Sequence, residues 1–147
     1  MEPLRLHFNV ACPVQRAFEL WALQTSRWWP HGHSVSADPG LTVVFEPRAG
    51  GRIYERTTDG AEHDWGEVLV WNPPHRLTYL WHLRFERSDA THVDISFRRE
   101  GEGTVVDLVH SGWENLGAEG PSRRDRNERG WSGVTARYRD ARAELAG

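Results

Sequence analysis

The chain has 147 residues, enough to bury a sizeable core, and a single domain over 1–147 is expected. Its 27% charged and 38% hydrophobic residues are those of an ordinary soluble globular protein. A net charge of −3, from 18 basic and 21 acidic residues, gives no overall basic field to attract nucleic acid.

No stretch approaches the roughly 18 apolar residues of a membrane span, and Met1 to Val10 lacks the apolar core of a signal peptide. A cytoplasmic protein with no membrane partner is the expectation. Cys12 is the single cysteine, which excludes an intrachain disulfide. The unusual feature is eight Trp, beside three Tyr and five Phe. So many rings either build a core of large side chains or line an apolar ligand pocket.

Leu4 to Val10 alternates apolar and polar residues, the period of a half-buried strand. Pro13 suits a first helical turn, and Val14, Ala17, Phe18, Trp21 and Ala22 recur at helical spacing. Trp28-Trp29-Pro30 ends a second short helical piece, because the residue before a proline is driven out of the helical region. His31 to Gly40 is polar and small, and reads as a loop. Strands follow in quick succession: Leu41 to Glu46, Arg52 to Thr57, Asp64 to Trp71, Leu77 to Phe85, Thr91 to Arg99 and Thr104 to Ser111. Gly50-Gly51, Asp59-Gly60, Pro73-Pro74 and Glu100 to Gly103 mark their turns. Such a run predicts an antiparallel meander.

A long helix closes the chain, with Ser122 as its expected cap and Asp125 completing an approximate capping box. Trp131, Val134, Tyr138, Ala141 and Leu145 fall on one face of it. Gly130 and Gly133 flank that stripe and predict a close approach to the sheet or the first helix, since glycine is costly inside a helix. Arg123, Arg124, Arg126 and Arg129 cluster in the first turns and read as a solvated face, with an anion or partner site as the alternative. One amphipathic helix cannot cover seven strands laid flat. The expected architecture is therefore α+β: a curved seven-stranded antiparallel sheet around the C-terminal helix, with two short helices after strand 1 plugging one end.

Strand alternation assigns faces. Leu77, Tyr79, Trp81 and Leu83 should look inward, as should Thr104, Val106, Leu108 and His110. An inward His110 is either a structural histidine bonded to its surroundings or a polar ligand anchor or general base whose pKa burial lowers. Glu114 reads as solvated, with an acid–base pairing to His110 as the alternative. His31-Gly32-His33 offers two metal ligands but no third at fixed spacing, so no metal is expected. Nucleophile elbow, phosphate loop and dinucleotide fingerprint are all missing, and no cofactor is expected.

Several of these segments, in this order, resemble a known family. They are Ala17-Phe18, Trp28-Trp29-Pro30, Gly50 to Arg56, Trp65-Gly66-Glu67-Val68, Pro73 to Leu77, Gly103 to Val106, His110 to Glu114 and Gly130-Trp131. Together they resemble the activator of heat shock protein 90 ATPase homologue-like (AHSA-type) proteins, within the SRPBCC, START-like or Bet v 1-like superfamily. That resemblance implies the helix-grip fold, ligand binding in an internal cavity between sheet and helix, and a stress-related role. Family members often carry an aromatic residue or His three positions before the final Gly-Trp, where this chain has Asn127. Eukaryotic co-chaperones of the family add a separate N-terminal domain, for which this chain leaves no room.

The expected function is binding of a small hydrophobic or aromatic molecule. The ligand-binding candidates are Trp21, Trp28, Trp29, Tyr54, Tyr79, Trp81, His110, Trp131 and Tyr138. One alternative, implied by START-like relatives, is a cyclase or dehydratase acting on polyketide-type substrates, with His110 as base or acid aided by Tyr79 or Glu114. Another is a chaperone-partner or other interaction module using the arginine cluster. An exposed edge strand and the Trp28-Trp29 loop are the features that would support a homodimer.

Overall fold

The periodicities resolve, in a computed structural model, into seven strands and two α-helices. The strands are β1 (Leu4–Val10), β2 (Thr42–Phe45), β3 (Arg52–Arg56), β4 (Glu62–Asn72), β5 (Arg76–Trp81), β6 (Thr91–Glu100) and β7 (Gly103–Ser111). The helices are α1 (Val14–Ala22) and α2 (Gly120–Ala146). The structure describes the backbone of residues 1–146 and the side chains of residues 1–141, so the Leu145 assignment lies outside the described residues.

All seven strands form one antiparallel sheet in the order β1-β7-β6-β5-β4-β3-β2. The meander supplies six strands in sequence, and β1 returns beside β7 with Leu6 opposite Leu108. The register of β4 shifts twice, at Trp65 against Ile53 and Tyr54 of β3 and at Leu69, between Val68 and Val70, against β5. An extra residue on one strand bends it and increases its twist, which is how the sheet curls. Gly66 is needed where β4 meets β5, because a Cβ there would lie 1.9 Å from the Leu80 carbonyl oxygen. This is the helix-grip fold: a curved sheet holding one long helix.

The predicted faces hold on β5 and β7. Leu77, Tyr79, Val106, Leu108 and His110 are all fully buried, and they face α1 and α2. The stripe on α2 is buried at Trp131, Val134, Tyr138 and Ala141.

Four expectations are corrected. Only one helix follows β1; the second piece is a 3-10 turn at Thr25–Arg27. The Thr25 hydroxyl donates to the Trp21 carbonyl at 2.6 Å, which closes α1 before it can continue. Strand β5 stops at Trp81 rather than running to Phe85, because the chain turns back at His82–Phe85 with Arg84 at φ +68°. Ser122 does not cap α2: the helix begins two residues earlier, and the Ser122 hydroxyl donates to Glu119 O. A 3-10 segment, Trp113–Glu119, leads into it after Gly112 takes φ +94°. Finally, no close approach explains Gly133, whose missing Cβ would meet open space.

Candidate functional site

The interior between sheet and helix is largely filled by rings. Trp21 lies 4.9 Å from both Trp28 and Tyr138, and Trp28 lies 5.1 Å from Tyr138. The Trp28 indole donates to Leu20 O at 2.8 Å, and the Tyr138 hydroxyl to Ala17 O at 2.7 Å. These polar tips are turned to the backbone of α1, so Trp21, Trp28 and Tyr138 pack and hold elements together. Tyr79 joins them, with Phe45 5.4 Å away across the sheet. Burial pushes its hydroxyl pKa well up, with partial relief from a hydrogen bond to Trp21.

Open space remains at one end, where the first half of α2, the β5–β6 turn and the loop before β2 converge. A pocket of about 210 Å³ lies there. Its floor is made of Trp29, Trp81 and Trp131, whose centroids are 5.6 Å (Trp29–Trp81) and 6.5 Å (Trp81–Trp131) apart. Leu83, Phe85 and Val134 continue the apolar wall. The rim is polar: His33, Arg84, Arg123, Arg126 and Asn127. Two bonds fix the loop side of the pocket. The Trp29 indole donates to His33 O at 2.7 Å, and Arg84 Nε donates to Ser34 O at 2.8 Å.

His110 lies just behind the floor, and both its ring nitrogens are engaged. The Trp131 indole N–H is only a donor, so at 2.9 Å it must give its proton to His110 Nδ1. Nε2 then carries the imidazole proton and donates to Thr91 Oγ1 at 2.6 Å. The Thr91 hydroxyl passes its own proton to Trp81 O at 3.3 Å. This chain ties α2 to β7, β6 and β5. Burial, with the charges of Arg123 and His92 nearby, holds His110 down at about 3. A neutral imidazole with no free nitrogen is a structural part of the floor. Glu114 is exposed on the 3-10 segment and makes no pair with it.

The loop that carries Trp29 and His33 is held by a buried carboxylate. Glu55 is fully buried, and accepts from the Val35 and Ser36 amides at 2.6 and 3.0 Å. It also accepts from the Ser36 hydroxyl at 2.6 Å and the Trp65 indole at 2.7 Å. Burial pushes its pKa up, but the Ser36, Val35 and Trp65 hydrogen bonds outweigh it and hold the carboxyl below its ordinary value.

Of the candidates named from sequence, Trp29, Trp81 and Trp131 come together on the pocket wall, and His110 stands behind them. Trp21, Trp28, Tyr79 and Tyr138 sit deeper, in the packed interior. Tyr54 is elsewhere: it lies on the other face of the sheet, with the Arg52 guanidinium 4.2 Å over its ring. Strand alternation separates it from the inward Ile53 and Glu55. The four arginines do not form one solvated face. Arg123 is buried, and Arg124 reaches back to donate to Glu2 O at 2.6 Å; Arg126 and Arg129 are exposed. Sequence reasoning missed Arg123, Arg126, Phe85 and His33 as pocket residues. The legible signal was Asn127 at the expected cavity mouth, one turn from Arg123. Both histidines are exposed and His33 alone of the two reaches the rim, and among the described residues no group of three potential metal ligands occurs.

No curated protein sequence matches the chain significantly. Solved structures do. The self-sacrificing resistance protein CalC from Micromonospora echinospora shares 22% identity at a TM-score of 0.72, over 98% of this chain and 96% of that one. Protein MLL2253 from Mesorhizobium loti shares 16% identity at a TM-score of 0.71, over 95% and 96% of the two chains. The anthrahydroquino-gamma-pyrone synthase Txn09 shares 29% identity at a TM-score of 0.63, over 96% and 97%. No helix among the described residues is long and apolar enough to cross a membrane. The family model for Activator of Hsp90 ATPase homolog 1-like protein matches residues 11–137, most of the sheet and α2 included, and the chain belongs to that family.

Proposed function

We propose that the protein binds a small, mainly apolar ring compound in the pocket above Trp29, Trp81 and Trp131. The observation that carries this reading is the contrast between two sets of rings. Trp21, Trp28 and Tyr138 interlock with one another away from the pocket, whereas the other three border open space of about 210 Å³. A cavity of about 150 Å³ holds benzene, so this one suits a substituted or fused aromatic system. Apolar walls with a few placed polar groups are the usual makeup of such sites.

The first experiment is native mass spectrometry on protein purified gently from its own source. A reproducible added mass, lost on denaturation, is expected. With the compound in hand, Trp81→Phe should weaken binding by about tenfold, since it trims the floor while keeping an aromatic ring in place. Tyr138→Phe serves as the contrast. It removes the hydroxyl bonded to Ala17 O and should lower stability by about 1 kcal/mol without changing affinity. Equal affinity in Trp81→Phe and wild type would remove Trp81 from the site.

A second reading is an enzyme of the cyclase type, favoured by the 29% identity with the gamma-pyrone synthase over nearly the full chain. The base would then be His33 rather than His110. His33 reaches the rim, and burial together with the Arg84 charge lowers its pKa, which keeps it neutral. Turnover of an aromatic polyketide-type substrate that disappears in His33→Gln, with binding retained, is the result this reading requires.

A further inference from the structure

The pocket's charge is one-sided. Among its lining residues are the guanidinium groups of Arg84, Arg123 and Arg126, and no carboxylate. This happens on a chain whose net charge is −3. Of the three, Arg84 is occupied by the loop carbonyls of Ser34 and Gly32. Arg126 stands exposed at the rim.

Arg123 is different. Its side chain is buried with only 6% of the residue exposed, and no hydrogen bond or ion pair holds its guanidinium among the described residues. Its Nε is a buried donor with no partner at all. One face of the group lies on the Phe85 ring, 3.5 Å from the centroid. That contact fixes the plane of the guanidinium and supplies no acceptor. Asp89 and Glu119 attract it only from beyond contact distance. A buried donor left without an acceptor is costly unless something arrives to pair with it, and of the three guanidinium nitrogens it is Nε that is sealed in this way. In the family setting the position three residues before Gly130-Trp131 is often aromatic or His. Here it is Asn127, whose amide nitrogen is committed to the Arg123 carbonyl at 2.8 Å.

We propose that the ligand is an anion: a planar aromatic acid, with its ring system on the tryptophan floor and its acidic oxygens on the Arg123 guanidinium. This rests on the pocket reading above and adds the charge of the ligand to it. The fork of N–H donors on arginine matches the two oxygens of a carboxylate. Phe85 packs on one face of the cation while the acid pairs with its N–H edge, and the uncharged floor makes the arginine the polar group that sets orientation. Arg126 adds long-range attraction at the rim without direct pairing.

The test uses two probes of the same shape, 2-naphthoate and its neutral amide, titrated into the full chain by isothermal calorimetry. Wild-type protein is expected to bind the acid at least about tenfold more tightly than the amide, the range for a hydrogen bond to a charged group. In Arg123→Leu, which keeps the stem's packing, that preference should fall to the few-fold that Arg126 supplies, while affinity for the amide stays. Arg126→Gln should reduce acid binding by only a few-fold. The preference for the acid should also shrink as salt is raised. Equal binding of both probes to the wild type overturns the anion assignment and leaves the pocket reading standing. Failure of both probes to bind overturns the two together. Because the wild-type pair already decides, a misfolded Arg123→Leu would not rescue the proposal.

Discussion

Glu55→Ala is expected to lower the unfolding free energy by at least about 3 kcal/mol, read as a drop in the urea midpoint at unchanged slope. The carboxylate receives four donors, and alanine offers none of them a partner. The Val35 and Ser36 groups lie near the surface and can turn to water. Trp65 cannot, being fully buried, so its indole N–H is stranded. Glu55→Gln keeps one acceptor oxygen and should lose roughly half as much. The pH dependence has a definite sign. The folded-state pKa lies below the ordinary 4.5, so the contribution is fully present above 4.5 and is lost as pH falls through the folded value. Glu55→Ala should therefore show a flatter acid limb than wild type. The same variant should loosen the segment holding Trp29 and His33, seen as faster amide exchange over residues 31–40. A loss below about 1 kcal/mol, the level of an ordinary surface change, would show that the loop is held by other contacts.

The second large effect belongs to His110 and runs over a higher pH window. Its folded pKa is about 3 against an ordinary 6.5, so above 6.5 both states are neutral and stability is unaffected. Below that, the unfolded chain takes up a proton that the native state refuses. Stability then falls by about 1.4 kcal/mol per pH unit, or about 2 kcal/mol by pH 5. His110→Gln removes this slope while keeping an acceptor for the Trp131 indole. At neutral pH it should cost about 1 kcal/mol through poorer geometry. The two stability curves should converge as the pH is lowered and cross at about pH 6. Parallel curves would mean that native His110 takes up protons freely and that the chain from Trp131 to Thr91 is not closed. The result also bears on mechanism, because a histidine locked neutral between two partners cannot move protons for a substrate.

These two residues differ in how visible they were. His110 was placed inward by alternation alone, since Val106 and Leu108 share its face and period-two geometry leaves no choice. Its partners were invisible, because Trp131 and Thr91 reach it from distant parts of the chain. Glu55 was easy to pass over. A glutamate between Tyr54 and Arg56 looks like the solvent side of a strand, yet alternation places it on the inward face with Ile53, opposite Arg52, Tyr54 and Arg56.

The sequence by itself determined the order of elements, the antiparallel meander and the stripe of α2 that the sheet grips. These follow from local periodicities of two and of about 3.6 residues and from turn chemistry, which neighbours in the chain settle between themselves. It also determined that rings would fill the centre, since that many aromatic side chains on inward faces have nowhere else to go. Only the tertiary structure decided which rings interlock and which border a pocket. That depends on how far the sheet curls and where α2 begins, both set by contacts between residues far apart in sequence. The same holds for Arg123. Its run of arginines reads as a solvated helix face, because exposure on an amphipathic helix is judged from spacing. The β5–β6 turn brings Phe85 over the first turns of α2, and that single long-range contact converts one member of the run into a buried cation facing the tryptophan floor.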